Sequence, residues 1–253
     1  PGMMLPWPTW GTDMTHRVVE LRQYTLHPGR RDRLIALFDR EFVETQEACG
    51  MRVVGQFRDL DAPDRFVWLR SFPDMPSRAA ALAAFYDGPA WAAHRDDANA
   101  TMVAWDDVRL LRPAGPGDAF PPPGGRRPPP GAEGDGPGLV AATLCHLGEV
   151  APEDFAGTFR RGIRLALEAA GAAILGSYMT EPAPNTFPRL PVREDGRVFA
   201  WFAGFGDRAA HDRHVAALGA PEAMPREWLA GRWQRLRLVP TARSLLHGRP
   251  GHR

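Results

Sequence analysis

Cysteine is scarce: Cys49 and Cys145 are the only two in 253 residues, and both lie inside apolar segments. Two thiols without metal-type spacing exclude a disulfide framework and point to a reduced, cytoplasmic protein. Surplus charge is missing too. A formal net charge of +1, with Asp and Glu set among the basic residues, argues against nucleic acid or an anionic membrane as partner. No run of about 18 apolar residues occurs, so no membrane span is expected. Pro1 to Asp13 has neither a cationic start nor a long apolar stretch, so residues 1–16 read as an irregular leader and not a signal peptide, with Met14 a natural start for the folded part. No P-loop, dinucleotide fingerprint or nucleophile elbow is present. His211 and His214 stand three apart with no third ligand, and Asp59, Asp61 and Asp64 lack the glycine and final Glu of a calcium loop. No metal and no cofactor is therefore expected.

Proline and glycine concentrate between Pro113 and Gly138. Pro121–Pro123 and Pro128–Pro130 favour extended polyproline geometry, so residues 113–137 read as a semi-rigid linker contributing little to either flanking core. It divides a unit at 17–112 from one at 138–246, with 247–253 as a tail.

The first unit reads β-α-β-β-α-β. Val18 to Leu26 alternates and is rich in β-formers, and Pro28-Gly29 ends it. Leu34, Ile35, Leu37, Phe38, Phe42 and Val43 recur at helical spacing up to Gly50. Strands follow at Met51–Asp59 and Arg65–Phe72, then an Ala-rich helix to about Tyr86, a shorter helix from Trp91 and a last strand at Val108–Leu111. The second unit repeats the plan. A shift of 121 pairs Phe38 with Phe159, Gly50 with Gly171 and Gly55 with Gly176; a shift of 133 pairs Phe66 with Phe199, Trp68 with Trp201 and Asp74 with Asp207. The change of shift is a hairpin insertion supplied by the Pro-rich run Glu181 to Asp195. Matching glycines and aromatics at constant shift predict an internal duplication. Because one βαββαβ sheet has one face bare of helices, the two sheets are expected to pack on each other. The expected fold is α+β: two tandem ferredoxin-like units forming a closed or nearly closed barrel with helices outside.

Four segments carry a family resemblance: Glu20 to Gly29, Gly50 to Asp59, Asp64 to Arg70, and Phe85 through Gly88, Pro89, Trp91 and His94 to Asn99. Together they resemble a NIPSNAP domain over most of 17–112; the second unit keeps only the glycines and Trp201. The resemblance implies the dimeric α+β barrel architecture. The wider group it implies contains cofactor-independent monooxygenases, cyclases, isomerases and haem-dependent enzymes.

Strand alternation assigns faces. Val19, Leu21, Val67 and Leu69 are expected against the helices, leaving Glu20, Arg22, Tyr24, Phe66, Trp68 and Arg70 in the barrel lumen. In the second strand Val54, Gln56 and Arg58 are expected inward and Val53, Gly55 and Phe57 outward, an assignment that a one-residue slip inverts. The repeat shifts add Thr143, Cys145, Leu175, Ser177, Met179, Phe199, Trp201 and Ala203 to the lumen. A lumen charged on one wall and apolar on the other suits a small amphipathic organic molecule, aromatic or polyketide-like. Arg22, Arg58 and Arg70 would hold its anionic oxygen, Tyr24, His94 and Arg70 would carry acid–base chemistry, and Glu20, Gln56, Trp68 and Trp201 would complete the site. Three alternatives stay open. The arginines could be salt-bridged to Glu20, Asp59 and Asp64 with no ligand; the protein could be a non-catalytic NIPSNAP-type scaffold; or, on the resemblance, it could bind haem. A homodimer of the pseudo-dimeric chain is also left open.

Overall fold

The computed structural model describes residues 16–122, 125–219 and 233–248. Almost all of the expected leader and tail lies outside the described residues. In the first half, β1 (Val18–Leu26) leads to α1 (Arg31–Leu37), which passes through a π-helical turn at Phe38–Phe42 into α2 (Val43–Ala48). Gly50, at φ 91°, ends that helix in a conformation L side chains rarely adopt. Then come β2 (Arg52–Asp59), β3 (Arg65–Phe72), α3 (Met75–Tyr86), α4 (Pro89–Asn99) and β4 (Met102–Pro113). The second half runs β5 (Leu139–His146), α5 (Pro152–Thr158), a π-helical turn at Phe159–Ile163, α6 (Arg164–Ala169), β6 (Ala173–Thr180), β7 (Val198–Phe205), α7 (Arg208–Leu218) and β8 (Trp233–Pro240). Among the described residues no helix is long and apolar enough to cross a membrane.

Local devices recur at the shifts read from the sequence. Both π-helical turns stand 121 residues apart, as do the register breaks at Val53/Gly55 in β2 and Ile174/Gly176 in β6. The helices after the third strands start alike: Asp74 accepts a hydrogen bond from the Ser77 amide at 2.7 Å, and Asp207 from the Ala210 amide at 2.6 Å.

The eight strands close into one barrel in the order β1-β3-β2-β8-β5-β7-β6-β4. Its two seams are equivalent. Phe57, Arg58 and Asp59 of β2 pair with Pro240, Val239 and Leu238; Tyr178, Met179 and Thr180 of β6 pair with Pro113, Arg112 and Leu111. Closure removes the free sheet edges that a four-stranded unit would expose.

The lumen is filled. Every strand contributes to one buried apolar cluster that contains no helix residue: Val19 and Leu21, Val54 and Phe57, Val67 and Leu69, Leu111, Val140, Ala142 and Leu144, Leu175 and Tyr178, Val198, Ala200 and Phe202, Leu236 and Leu238. This corrects the face assignment. Val19, Leu21, Val67 and Leu69 point into the barrel, whereas Glu20, Arg22, Tyr24, Phe66, Trp68 and Arg70 lie between the sheet and its helices. In the second half Cys145, Met179, Phe199, Trp201 and Ala203 likewise pack against helices, and only Leu175 of that expected set reaches the lumen. On the helix side the buried charges gain partners that strands alone do not supply, since Arg78 and Gln46 of the helices bond Glu20 and Arg70. In β2 the register break reverses the alternation, so Val53 and Val54 lie as expected while Phe57 turns inward and Gln56 outward to Asp39 of the π-helical turn.

The proline-rich connection is docked, contrary to its reading as a spacer. Its Phe120 packs on Tyr178 and Phe202 at 4.7 and 4.9 Å between ring centres. Arg127 donates to Glu47 at 2.8 Å and to the Val53 carbonyl at 2.7 Å, and the Gly136 amide donates to Pro240 at 2.8 Å.

Candidate functional site

Residues i and i+2 of a strand share a face, so Glu20, Arg22 and Tyr24 line up under the helices of the first half. Arg70 stands opposite Glu20 on β3. Arg78 reaches them from α3, where it shares a face with Leu82 and Phe85 four and seven residues on. Glu20, Arg22, Arg70 and Arg78 are all 0% exposed. One Glu20 oxygen accepts from Arg22 Nη1 at 2.7 Å and Arg70 Nε at 2.8 Å; the other accepts from Arg78 Nε at 2.6 Å. Arg70 Nη1 also donates to Gln46 at 2.9 Å, and its guanidinium lies 5.1 Å from the Trp68 ring centre.

One carboxylate thus serves three guanidinium groups. Burial by itself would push the Glu20 carboxyl up, but Arg70, then Arg22 and Arg78, hold it far below the usual carboxylate range. It stays ionised, and the cluster keeps an excess of positive charge. Nη2 of Arg22, of Arg70 and of Arg78 are each buried without a hydrogen-bond partner among the described residues. Arg22 Nε donates to Tyr24 Oη at 3.0 Å, which leaves the phenolic proton free to be donated elsewhere. Burial raises the Tyr24 pKa despite Arg22 beside it, so the phenol keeps that proton.

Arg22 and Tyr24 form part of the wall of a cavity of about 200 Å³. Tyr86 of α3 and Trp91 and Asn99 of α4 add to it, with Met102 and Trp105 at the start of β4. The remaining wall comes from the second half: Phe187, Arg189 and Leu190 of the β6–β7 connection. That connection is pinned to the first half. Arg78 Nη1 donates to Asn185 at 3.0 Å and Thr186 at 3.2 Å, the Arg193 amide donates to Val108 at 2.7 Å, and Arg109 pairs with Asp195 at 2.7 Å. Phe187 stacks on Tyr86 at 5.9 Å.

Of the residues singled out from sequence, Glu20, Arg22, Tyr24, Trp68 and Arg70 come together here. Four do not. His94 is absent from the cavity wall, with Nε2 3.3 Å from a Glu41 oxygen on the helix surface. Arg58 pairs with Asp32 and Asp135 at 3.0 and 2.9 Å, and Gln56 donates to Asp39 at 2.8 Å. Trp201 packs in the second half's own sheet–helix core. The ion-pair alternative holds for Arg22 and Arg70 toward Glu20, while Asp59 pairs with Arg65. Sequence reading missed Arg78, Tyr86 and the Phe187–Leu190 segment. The helical phase of Arg78 with Leu82 and Phe85 was a usable signal; the segment's contact, made about 100 residues away along the chain, left none.

Among solved structures, a candidate monooxygenase from Lactobacillus acidophilus NCFM is similar at 12% identity and a TM-score of 0.51, with 89% of this chain and 94% of that one covered. A candidate monooxygenase from Fusobacterium nucleatum is similar at 9% identity and a TM-score of 0.50, covering 89% and 93%. These share the fold. A NIPSNAP family protein of unknown function from Agrobacterium tumefaciens aligns with 39% of this chain and 88% of its own at 21% identity and a TM-score of 0.36. A search of curated proteins finds no match. Residues 19–116 match the NIPSNAP family, and this segment coincides with the half that holds the charged cluster: the first half of the chain is similar to a NIPSNAP domain.

Proposed function

We propose that the cavity beside Arg22 and Tyr24 binds a small, one-ring organic anion and stabilises negative charge on its oxygen. The observation that carries this is the free Nη2 of a fully buried arginine in the cavity wall. Leaving a buried charged donor unpaired is costly unless a ligand supplies the partner. The Tyr24 hydroxyl, its oxygen already accepting from Arg22, is a second donor in the same cavity wall. Two fixed donors away from water make an oxyanion site. An apolar cavity of about 150 Å³ is enough for benzene, so about 200 Å³ suits a single ring with a small substituent.

Among the described residues the cavity wall contains no Asp, Glu or His, and the sequence contains no lysine, which excludes a lysine Schiff base. The supported chemistry is therefore that of a substrate reacting through its own phenolate or enolate, of the cofactor-independent monooxygenase, cyclase or isomerase type. Haem does not fit, because a porphyrin exceeds a cavity of this size. The filled lumen favours a second reading, a non-catalytic binding protein, in which the same cavity holds an anion without turnover. The repeated π-helical turns, register breaks and seams support reading the chain as a tandem duplication of ferredoxin-like units, 17–112 and 138–246, whose second copy lost the site.

The test is the ionisation of bound 4-nitrophenol, followed by its absorbance. The expected result is a midpoint lowered by about 1 pH unit or more, abolished by Arg22→Met and reduced by Tyr24→Phe. An unshifted midpoint, or no binding, would overturn the reading.

A further inference from the structure

The connection between β6 and β7 belongs to the second half in sequence but to the first half in space. Its equivalent between β2 and β3 is only a short polar turn, so no symmetry-related segment covers the second half. It is also built as a fixed wall. Asn185 accepts from both Arg78 Nη1 and the Phe187 amide at 3.0 Å, and its side-chain amide donates to the Leu190 carbonyl at 2.9 Å. Thr186 Oγ1 donates to the Met75 carbonyl at 3.2 Å. Arg189 Nη1 lies 2.6 Å from Asp87 and its guanidinium sits 5.4 Å from the Phe187 ring centre. These contacts hold Phe187, 8% exposed, with its ring near-parallel to Tyr86 at an interplanar angle of 28°.

From this geometry we infer that the second half supplies the specificity wall of the first half's site: Phe187, set parallel to Tyr86, selects a flat ring, while Arg22 of the first half takes the anion. The inference rests on the anion-site reading above and adds the ligand class, a planar aromatic or enolic acid in preference to a puckered aliphatic one. Arg78 joins the two parts, because one nitrogen bonds Glu20 in the charged cluster and another bonds Asn185 in the wall. Recognition is thereby divided between the halves, and neither half carries the whole site.

The experiment titrates the full chain with benzoate and with cyclohexanecarboxylate, which share a carboxylate and differ in ring planarity. The readout is quenching of tryptophan fluorescence, since Trp91 and Trp105 stand in the wall. Wild type is expected to prefer benzoate by roughly three- to tenfold, the range an oriented aromatic contact gives. Phe187→Leu, which keeps apolar bulk, and Phe187→Ala should bring the two acids to within about twofold, while Arg22→Met should lose both. Failure of wild type to bind either acid overturns the anion site and this inference with it. Binding that Arg22→Met abolishes but Phe187→Leu leaves with its benzoate preference overturns the inference alone and leaves the anion site standing.

Discussion

Where the first half buries Glu20, Arg22, Arg70 and Arg78 between sheet and helices, the equivalent positions of the second half hold Ala141, Thr143, Ala203 and His211. Gln46, which accepts from Arg70, is answered by Leu167. The frame around them is the same: Phe38 packs on Trp68 at 4.8 Å, and Phe159 on Trp201 at 5.3 Å. The second half therefore acts as a control within the chain. Among the described residues it reaches the same four strands, π-helical turn and helix after the third strand without a Glu20-like cluster of buried ions, so that frame does not require one. Replacing buried ion networks by apolar groups is commonly neutral or stabilising. That the first half keeps three guanidinium groups on one carboxylate points to use, not to folding.

The comparison breaks most sharply at Glu20. Glu20→Gln leaves three buried cations without their anion and should cost about 3–5 kcal/mol, measured by denaturant unfolding. Because the folded pKa of Glu20 lies below its ordinary 4.5, its contribution is complete above that value and is lost as pH falls further. Wild type and variant should converge in strongly acidic buffer. A loss smaller than about 1 kcal/mol, typical of a surface pair, would mean the cluster is not the buried network described. Removing the network as a set is the complementary test. Glu20→Leu with Arg22→Met, Arg70→Met and Arg78→Met should stay within about 2 kcal/mol of wild type while losing anion binding. Greater instability than Glu20→Gln alone would show that the fold of the first half does depend on its charges.

A smaller contrast lies at Asp39, whose equivalent is the half-exposed Arg160. Burial pushes the Asp39 carboxyl up to about 6, against the pull of Arg243, Arg127 and Arg58. Its folded pKa is thus raised above the ordinary 3.8, so the unfolded chain gives up this proton first. Stability should fall as pH rises between about 4 and 6, by on the order of 3 kcal/mol. Asp39→Asn should flatten that part of the profile. An unchanged slope would assign it to another group.

The order of the elements and most of their bounds were legible because turn glycines and aromatic pairs recur at fixed shifts; α5, for example, begins at Pro152, 121 residues after Arg31, but β4 runs Met102–Pro113 where only Val108–Leu111 was expected. The phase of the strands was not. Both faces of each sheet are buried, so alternation between Val19 and Glu20 says that the faces differ and leaves open which one meets the helices. The register breaks added a second obstacle, since no residue pattern marks the reversal in β2. For the site, Arg22, Tyr24 and Arg70 were legible as a buried polar set on one face. The wall from Phe187 to Leu190 was not, because nothing local in a proline-rich insertion says which half it will cover.

The finest test of equivalence uses the glycines at the register breaks. After its last strand each half crosses over the break of the other: the Thr241 amide donates to the Gln56 carbonyl at 2.9 Å, and the Ala114 amide to the Ser177 carbonyl at 3.0 Å. The aromatic two residues on then lies across the glycine. A Cβ on Gly55 would stand 2.5 Å from a Phe57 ring carbon, and one on Gly176 would stand 2.9 Å from a Tyr178 ring carbon and 3.0 Å from the Asp118 carbonyl. Gly55→Ala and Gly176→Ala should therefore each cost about 1–3 kcal/mol by overpacking. The ring can yield by rotation, but the carbonyl is fixed by the Ser177 amide at 2.9 Å, so Gly176→Ala should be the worse of the two. The expected difference is below about 1 kcal/mol, a small share of the spread seen among point variants. Equal and opposite behaviour, with one substitution stabilising, would show that the two breaks are not the same structural device despite their common spacing.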